Sequence, residues 1–125
     1  MKLESIQTDD RGSISILTGF QNYPEVTIFT TKSGYARGGC IHNIHDEFVC
    51  VIEGSIDYYE GNHKFSLNEG QTIMIPRGTP HYFFSKKNSV VLEWGASPEE
   101  KKVKHSEMRK IVDDINATKQ ASEML

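Results

Sequence analysis

The chain of 125 residues has little cysteine and no long apolar run. Its two cysteines, Cys40 and Cys50, are too few for a disulfide framework, so we expect free thiols in a reducing compartment. No stretch approaches the roughly 20 apolar residues that span a bilayer, and the N-terminal segment lacks the apolar core of a secretory signal. These absences predict a cytoplasmic protein with no membrane partner.

Clustered basic charge is lacking as well. The chain has 14 Lys and Arg against 17 Asp and Glu, a formal net charge of -3, and no basic run is interleaved with aromatic residues. This balance argues against a surface for nucleic acid. A chain of 125 residues is long enough for one compact core and too short for two of ordinary size, which predicts a single domain.

Short β-like runs separated by turn-forming residues fill the chain from residue 3 to residue 95. Many short strands at close, even spacing favour a sandwich or barrel over a parallel sheet with crossover helices, so the predicted class is all-β. The predicted strands are Ser13 to Thr18, Glu25 to Thr31, Ala36 to His42, Glu47 to Glu53, Ser55 to Glu60, His63 to Leu67, Gln71 to Ile75, His81 to Ser85 and Ser89 to Trp94.

The composition changes after residue 96, which divides the chain into a barrel over residues 1–96 and a helical tail over residues 97–125. Ser97 followed by Pro98 is typical of a helix start, and Ser106 offers a second one. We expect Thr118 to Leu125 to be frayed or disordered. An apolar stripe at helical spacing is predicted to pack on the barrel or on a partner subunit; its members are Met108, Ile111, Val112 and Ile115.

Two segments, residues 34–54 and 70–85, contain most of the residues that could do chemistry. Alternate residues of a strand share a face, so Cys40 and His42 are expected to point the same way, and a tight connection would bring Glu47 beside His42. The second segment adds His81 after a Pro-Arg-Gly turn. A thiol, two imidazoles and a carboxylate suit a divalent ion such as zinc, iron or nickel better than magnesium or calcium.

The spacing of these segments resembles the two motifs of single-domain cupins in the RmlC-like superfamily. In the first motif Cys40 stands where cupins have their first histidine, and in the second Ser85 replaces an asparagine. The resemblance implies a small cupin β-barrel, a double-stranded β-helix of the jelly-roll type, here followed by a C-terminal α-helical tail. It also implies that the barrel can hold a divalent metal ion, which would be zinc, iron, nickel or manganese. The expected ligand of the protein is a small molecule.

The segment Arg37 to His42, Arg-Gly-Gly-Cys-Ile-His, is more weakly similar to a segment of sugar-nucleotide 3,4-ketoisomerases. Those enzymes need no metal, and the similarity implies that His42 moves a proton while Arg37 holds a nucleotide diphosphate. Cys40 would then occupy the place of a catalytic base. Because Arg37 and Cys40 are three residues apart, alternation along a strand does not by itself bring the guanidinium toward the thiol.

These arguments give three overlapping sets of candidate residues. The predicted catalytic residues are His42, Cys40 and Glu47. The predicted substrate-binding residues are Arg37, Tyr35 and His81. The predicted metal ligands are Cys40, His42, Glu47 and His81. Three simpler interpretations stay open: a buried packing role for Cys40, an outer-face ion pair for Arg37 and a core position for Tyr35.

The function predicted first is an isomerase or epimerase that acts on a keto-sugar, linked or not to a nucleotide, by proton transfer. The alternatives are a metal-dependent oxygenase acting on a small substrate, and a pocket that binds a sugar or another small ligand without catalysis. We also expect a homodimer, formed through the N-terminal strand, since exposed sheet edges tend to be paired.

Overall fold

The computed structural model describes residues 2–18, 26–95 and 103–124, and within these ranges it has eleven strands and one helix. In chain order they are β1 Lys2–Asp9, β2 Gly12–Thr18, β3 Val26–Thr31, β4 Ala36–Ile41, β5 Glu47–Glu53, β6 Ser55–Glu60, β7 His63–Asn68, β8 Thr72–Ile75, β9 His81–Ser85, β10 Ser89–Trp94, β11 Val103–Lys104 and α1 Ser106–Glu123. The all-β class with a C-terminal helix is confirmed.

The strands form two antiparallel sheets that face each other. The six-stranded sheet has the order β1-β2-β3-β10-β5-β8, and the five-stranded sheet has the order β11-β4-β9-β6-β7. Strands far apart in sequence are neighbours, such as β3 with β10 and β4 with β9. This order brings the first predicted segment, on β4 and β5, next to the second, on β8 and β9.

The hydrophobic core lies between the sheets and is built by alternation along the strands. On β5, for example, Val49 and Val51 are buried, while Phe48 and Cys50 on the other face are half-buried. Each apolar side chain buried in this way stabilises the fold by about 1.5 to 3 kcal/mol. The core cluster consists of Phe29, Val49, Val51, Ile56, Tyr58, Leu67, Ile75, Phe83 and Val91.

The sequence prediction found nine strands and missed two. Strand β1 was missed because its eight residues are all exposed and mostly polar, which weakens the alternation that identifies a strand. Strand β11 has only two residues, and it pairs with β4, so part of the predicted tail belongs to a sheet. The predicted starts at Glu25 and Ser97 lie outside the described residues.

Helix α1 begins at Ser106 and covers the outer face of β4. Met108 and Val112 are buried there, whereas Ile111 is 42% exposed, so the predicted stripe is narrower than expected. The prediction of a frayed end after residue 118 was wrong, since the helix continues to Glu123. A contact from the barrel explains this, because the Tyr35 hydroxyl donates a 2.8 Å hydrogen bond to the Glu123 carboxylate. No helix in the described ranges is long and apolar enough to cross a membrane.

Gly39 lets the helix approach the barrel. Its φ of +89° lies in the left-handed region, and a Cβ built on it would lie 2.8 Å from the Cα of Arg109 on α1. A larger residue would therefore force both a strained backbone and a shift of the helix.

We predict that Gly39→Ala lowers the free energy of unfolding by about 2 to 5 kcal/mol, from left-handed backbone strain together with overpacking. Gly61→Ala is the matched control, since Gly61 has a φ of +57° with no atom within 4 Å of the added Cβ. The control should cost only the backbone strain, about 1 to 2 kcal/mol. Urea unfolding followed by circular dichroism measures both values, and equal losses would contradict a role for Gly39 in helix packing.

Candidate functional site

A bulge in β4 turns Arg37 and Cys40 toward the same interior. Arg37 pairs with Phe83 and Cys40 pairs with His81, so Gly39 is an extra residue between them. Gly38 and Gly39 have φ values of +116° and +89°, which a glycine adopts without strain. Strict alternation would have placed the two side chains on opposite faces of the strand. The extra residue in the bulge shifts the alternation by one, so both side chains line the same pocket.

His42 lines this pocket and lies beside Glu47, as the sequence predicted. The His42 Nε2 atom lies 3.0 Å from the Glu47 Oε1 atom, and the two residues are 6% and 2% exposed. The connection between β4 and β5 is fixed from the second segment, because the Gly78 N–H donates a 2.6 Å hydrogen bond to the His42 carbonyl. A buried carboxylate in contact with an imidazole is a suitable pair for proton transfer.

His81 reaches the same carboxylate from β9. Its Nε2 atom lies 3.8 Å from the Glu47 Oε1 atom, and its ring centre lies 6.5 Å from that of His42. The His81 Nδ1 atom is 2.9 Å from the Thr79 carbonyl oxygen, which can only accept a hydrogen bond. Nδ1 therefore carries the proton in the neutral ring, and the Nε2 lone pair is left for a proton or a metal ion.

Glu93 belongs to the same cluster, and the sequence analysis missed it. One ligand atom from each of His42, Glu47 and Glu93 lies within 4.8 Å of the others. Glu93 stands on β10 opposite Val49 of β5, one step along the inner face from Glu47. It lies outside both motif segments, and the signal that could have identified it is its inward position in a strand, two residues after the buried Val91.

Cys40 lies outside this cluster. Among the described residues the group that could hold a metal ion is His42, Glu47 and Glu93, and it does not include the thiol. Cys40 lines the pocket from the five-stranded sheet, where it pairs with His81. Glu93 stands on β10, which pairs with β5 in the six-stranded sheet and so places this carboxylate near Glu47. Glu93 therefore joins the candidate ligands, while a role for the Cys40 thiol as a ligand stays a prediction.

The donor atoms of this cluster fit a divalent transition metal. Two carboxylates that lie this close in a buried site repel each other unless a proton or a cation lies between them. Imidazole nitrogen and carboxylate oxygen together suit zinc, iron, nickel or manganese. The Nε2 atom of His81 faces the same carboxylate and would add a further nitrogen ligand.

Arg37 is a buried cation whose hydrogen-bond partners are neutral. The residue is only 3% exposed. Its Nε atom donates a 2.8 Å hydrogen bond to the Thr31 hydroxyl, and its Nη2 atom donates a 3.1 Å hydrogen bond to the Thr30 carbonyl. Burial, aided by the nearby Arg11, lowers the pKa of Arg37 to about 10. Its Nη1 atom has no hydrogen-bond partner among the described residues. A buried guanidinium without a carboxylate favours an anionic ligand nearby.

Two further arginines line the pocket from elements outside the motifs. Arg11, at the turn between β1 and β2, makes a 2.8 Å ion pair with Asp9, and this contact holds the pKa of Asp9 well below its usual range. Arg109, on α1, donates from Nη1 to the Gly38 carbonyl at 3.0 Å. The pocket has a volume of about 190 Å³. The hairpin and the helix therefore each contribute a guanidinium to it, paired with Asp9 and with Asp113.

Tyr35 is not brought to this pocket. Its side chain is fully buried, and its hydroxyl donates to Glu123 on α1, so the ring links the barrel to the helix. Burial and the neighbouring Glu123 carboxylate raise the pKa of Tyr35 to about 12. The predicted role of Tyr35 in substrate binding is corrected accordingly, and the core position is the one observed.

The fold and the motifs agree with comparisons to known proteins. Residues 29–95 match the cupin domain family. One similar solved structure is the capsular polysaccharide assembling protein CapF from Staphylococcus aureus, with 20% identity and a TM-score of 0.68 over 82% of this chain. A variant of oxalate decarboxylase from Bacillus subtilis has 20% identity and a TM-score of 0.68 over 81% of this chain. An RmlC-like cupin from Shewanella frigidimarina has 16% identity and a TM-score of 0.63 over 78% of this chain.

The similar region makes up 32% of the CapF chain, 29% of the oxalate decarboxylase chain and 86% of the Shewanella chain. A comparison with curated proteins finds no match. At these identities the likeness to solved structures shows the fold, while the family match covers more than half of the chain. The chain belongs to the cupin family.

Proposed function

We propose that this cupin is an isomerase or epimerase that transfers a proton at a carbon next to the carbonyl of a small keto-sugar. The observation that carries the proposal is the buried His42–Glu47 pair, 3.0 Å apart, whose histidine lines a pocket that also contains a buried arginine. CapF, a similar structure, is a capsular polysaccharide assembling protein, which agrees with a sugar as the ligand.

In this mechanism His42 takes the proton from the carbon and returns it to the neighbouring position or to the other face. Glu47 stabilises the imidazolium that forms in between, since its carboxylate is in contact with the ring and is shielded from water. His81 and Arg37 polarise the carbonyl or anchor the substrate, and Cys40 lines the same wall as a second helper. General acid–base catalysis of this kind contributes typically about 100-fold to 10,000-fold in rate.

The size of the pocket bears on the substrate. A volume of about 190 Å³ lies below the roughly 300 to 1,000 Å³ of pockets that take drug-sized ligands, so it suits a small ligand such as one sugar ring. A nucleotide diphosphate attached to that ring would extend past the rim, where Arg11 and Arg109 offer positive charge. We infer that the ring enters the pocket and that any nucleotide remains outside it.

We predict that His42→Gln reduces proton exchange at the sugar carbon by at least about 100-fold, because the proton-transfer group is lost while a similar volume is kept. The measurement is deuterium wash-in followed by proton NMR, with a panel of free and nucleotide-linked keto-sugars. His45→Gln is the matched control, since His45 lies three residues away in an exposed turn.

A fully active His42→Gln variant would remove this residue from the mechanism. If the wild-type protein exchanges no proton on the whole panel but binds its members, the alternative of a non-catalytic ligand-binding cupin is the better one.

The second candidate is a metal-dependent cupin enzyme, either an oxygenase or an isomerase with a Lewis acid. The cluster of His42, Glu47 and Glu93, with His81 beside it, favours this candidate. These residues would hold the ion, and the ion would supply polarisation of a carbonyl or redox chemistry. Arg37 and the rest of the pocket would keep the same anchoring role in both candidates.

We predict that Glu93→Gln weakens zinc or manganese binding by more than about 100-fold. Even the loss of a residue that only hydrogen-bonds a metal ligand lowers metal affinity by about 10-fold to 100-fold. Isothermal titration of protein prepared without a nickel column measures the affinity directly. Glu53→Gln, an exposed change on β5, should leave the affinity unchanged. If both variants bind as the wild type does, the carboxylate of Glu93 is not a ligand.

A further inference from the structure

Part of the Arg37 guanidinium is left unused by the protein. The residue is buried and lines the pocket. Its Nε atom donates to Thr31 and one N–H of Nη2 donates to Thr30, which leaves two N–H groups on Nη1 and one on Nη2. Among the described residues Nη1 has no hydrogen-bond partner. Because a buried donor without a partner is costly, this edge of the guanidinium favours a ligand.

The guanidinium is held in place by strand β3. The Thr31 hydroxyl and the Thr30 carbonyl fix one of its edges. Its Cζ atom also lies 5.7 Å from the centre of the Phe29 ring, in a cation–π contact. All three contacts are with neutral groups, so the positive charge is not cancelled. A side chain that is already ordered loses little entropy when it binds an anion.

Two other arginines line the pocket, and both are matched by acids. Arg11 lies 2.8 Å from Asp9, and Arg109 lies 3.4 Å from Asp113. Arg37 makes no such ion pair within the described part of the chain. One positive charge of the pocket therefore lacks a balancing acid, and a ligand with one negative charge would supply it.

The carboxylates of the nearby cluster do not balance Arg37. Glu93 lines the pocket, but one of its oxygens lies within 4.8 Å of an oxygen of Glu47. Burial lowers the pKa of Arg37, and Arg11 lowers it further. The acid that raises this pKa is Asp9, rather than Glu47 or Glu93. The charge of Arg37 is thus left for a ligand.

The position of Arg37 sets a minimum length for that ligand. Along the inner face of β4, Cys40 is one step from Arg37, and His42 follows one step later, just past the end of the strand. Two steps correspond to on the order of 13 Å between Cα atoms. A two-carbon acid bound at Arg37 would be too short to reach His42 as well. A molecule with a sugar ring between its acid group and its reacting carbon is a better match.

A carboxylate suits this position better than a phosphate. A diphosphate in a nucleotide-linked sugar has a substituent at each end, and a pocket of about 190 Å³ is too small for both. A phosphate monoester carries a charge of about -1.5 to -2 at neutral pH, more than the one unmatched cation. A carboxylate carries one charge, and its two oxygens match the planar fork of a guanidinium.

We propose that the ligand of this pocket is a sugar acid, a small sugar whose carboxylate binds the Nη1 edge of Arg37 while its reacting carbon lies at His42. The sugar part and the reacting carbon rest on the function proposed above, whereas the carboxylate part rests on Arg37 alone. Arg37 then selects sugar acids over neutral sugars. This differs from the nucleotide diphosphate that the sequence similarity implied for Arg37.

The experiment compares matched sugars by binding alone, in a nitrogen-15 NMR titration of the wild type. D-Galacturonate carries a carboxylate, D-galactose lacks it, and galactose 6-phosphate carries a phosphate instead. Each sugar is added up to about 50 mM, at which a ligand with a Kd of about 1 mM is saturated. We expect galacturonate to bind about 10-fold to 100-fold more tightly than galactose, since hydrogen bonds between charged groups are the stronger ones.

Arg37→Gln should remove this preference for galacturonate. Arg37→Lys keeps the charge without the planar fork and should retain only part of the preference. Arg77→Gln is the matched control, since Arg77 is an exposed arginine in the turn before β9, and it should keep the full preference. Circular dichroism verifies that each variant folds, and the comparison of the two sugars in the wild type needs no variant.

Equal affinity for galacturonate and galactose, or no binding of galacturonate up to about 50 mM, would overturn the proposal. So would a preference that survives Arg37→Gln. Tighter binding of galactose 6-phosphate, lost in the same variant, would assign the Nη1 edge to a phosphate ester instead. None of these results decides whether the protein transfers protons. The proposed isomerase fails separately, if keto-sugars that bind show no deuterium wash-in.

Discussion

The site depends on one buried carboxylate. Glu47 is 2% exposed, and its Oε1 atom contacts Nε2 of His42 at 3.0 Å and Nε2 of His81 at 3.8 Å. A carboxylate removed from water costs several kcal/mol unless charge or hydrogen bonds compensate it. His42 supplies that compensation by hydrogen bonding, and His81 adds to it when its Nε2 atom holds a proton or a metal ion, so the contacts that stabilise the carboxylate also assemble the site. Glu93 adds a second carboxylate and with it the demand for a proton or a metal ion.

The surroundings of this carboxylate are shaped by backbone geometry. The bulge at Gly39 places Arg37 and Cys40 on one wall, and the missing Cβ at Gly39 allows α1 to bring Arg109 to the same pocket. The C-terminal helix therefore does more than cover apolar surface. It links the stability of the barrel to the charge at the entrance of the pocket, since the helix that buries Met108 also holds Arg109.

Much of the fold and part of the site could be predicted from the sequence because both depend on local spacing. Alternation and turn residues identified nine strands, and the motif spacing brought His42, Glu47 and His81 together correctly. What could not be predicted depends on contacts between distant segments. Glu93 joins the cluster only through the pairing of β10 with β5, and Tyr35 is directed to the helix by a hydrogen bond 88 residues away in the chain.

The most direct test of the central claim is nitrogen-15 NMR of the imidazole rings at neutral pH, in protein freed of metal by chelation. The account predicts that the His42 Nε2 atom carries a proton and shares it in a hydrogen bond with Glu47, and that Glu47→Gln shifts the ring signals of both His42 and His81. An unprotonated His42 Nε2, together with ring signals that Glu47→Gln leaves unchanged, would contradict the claim that this carboxylate organises the site.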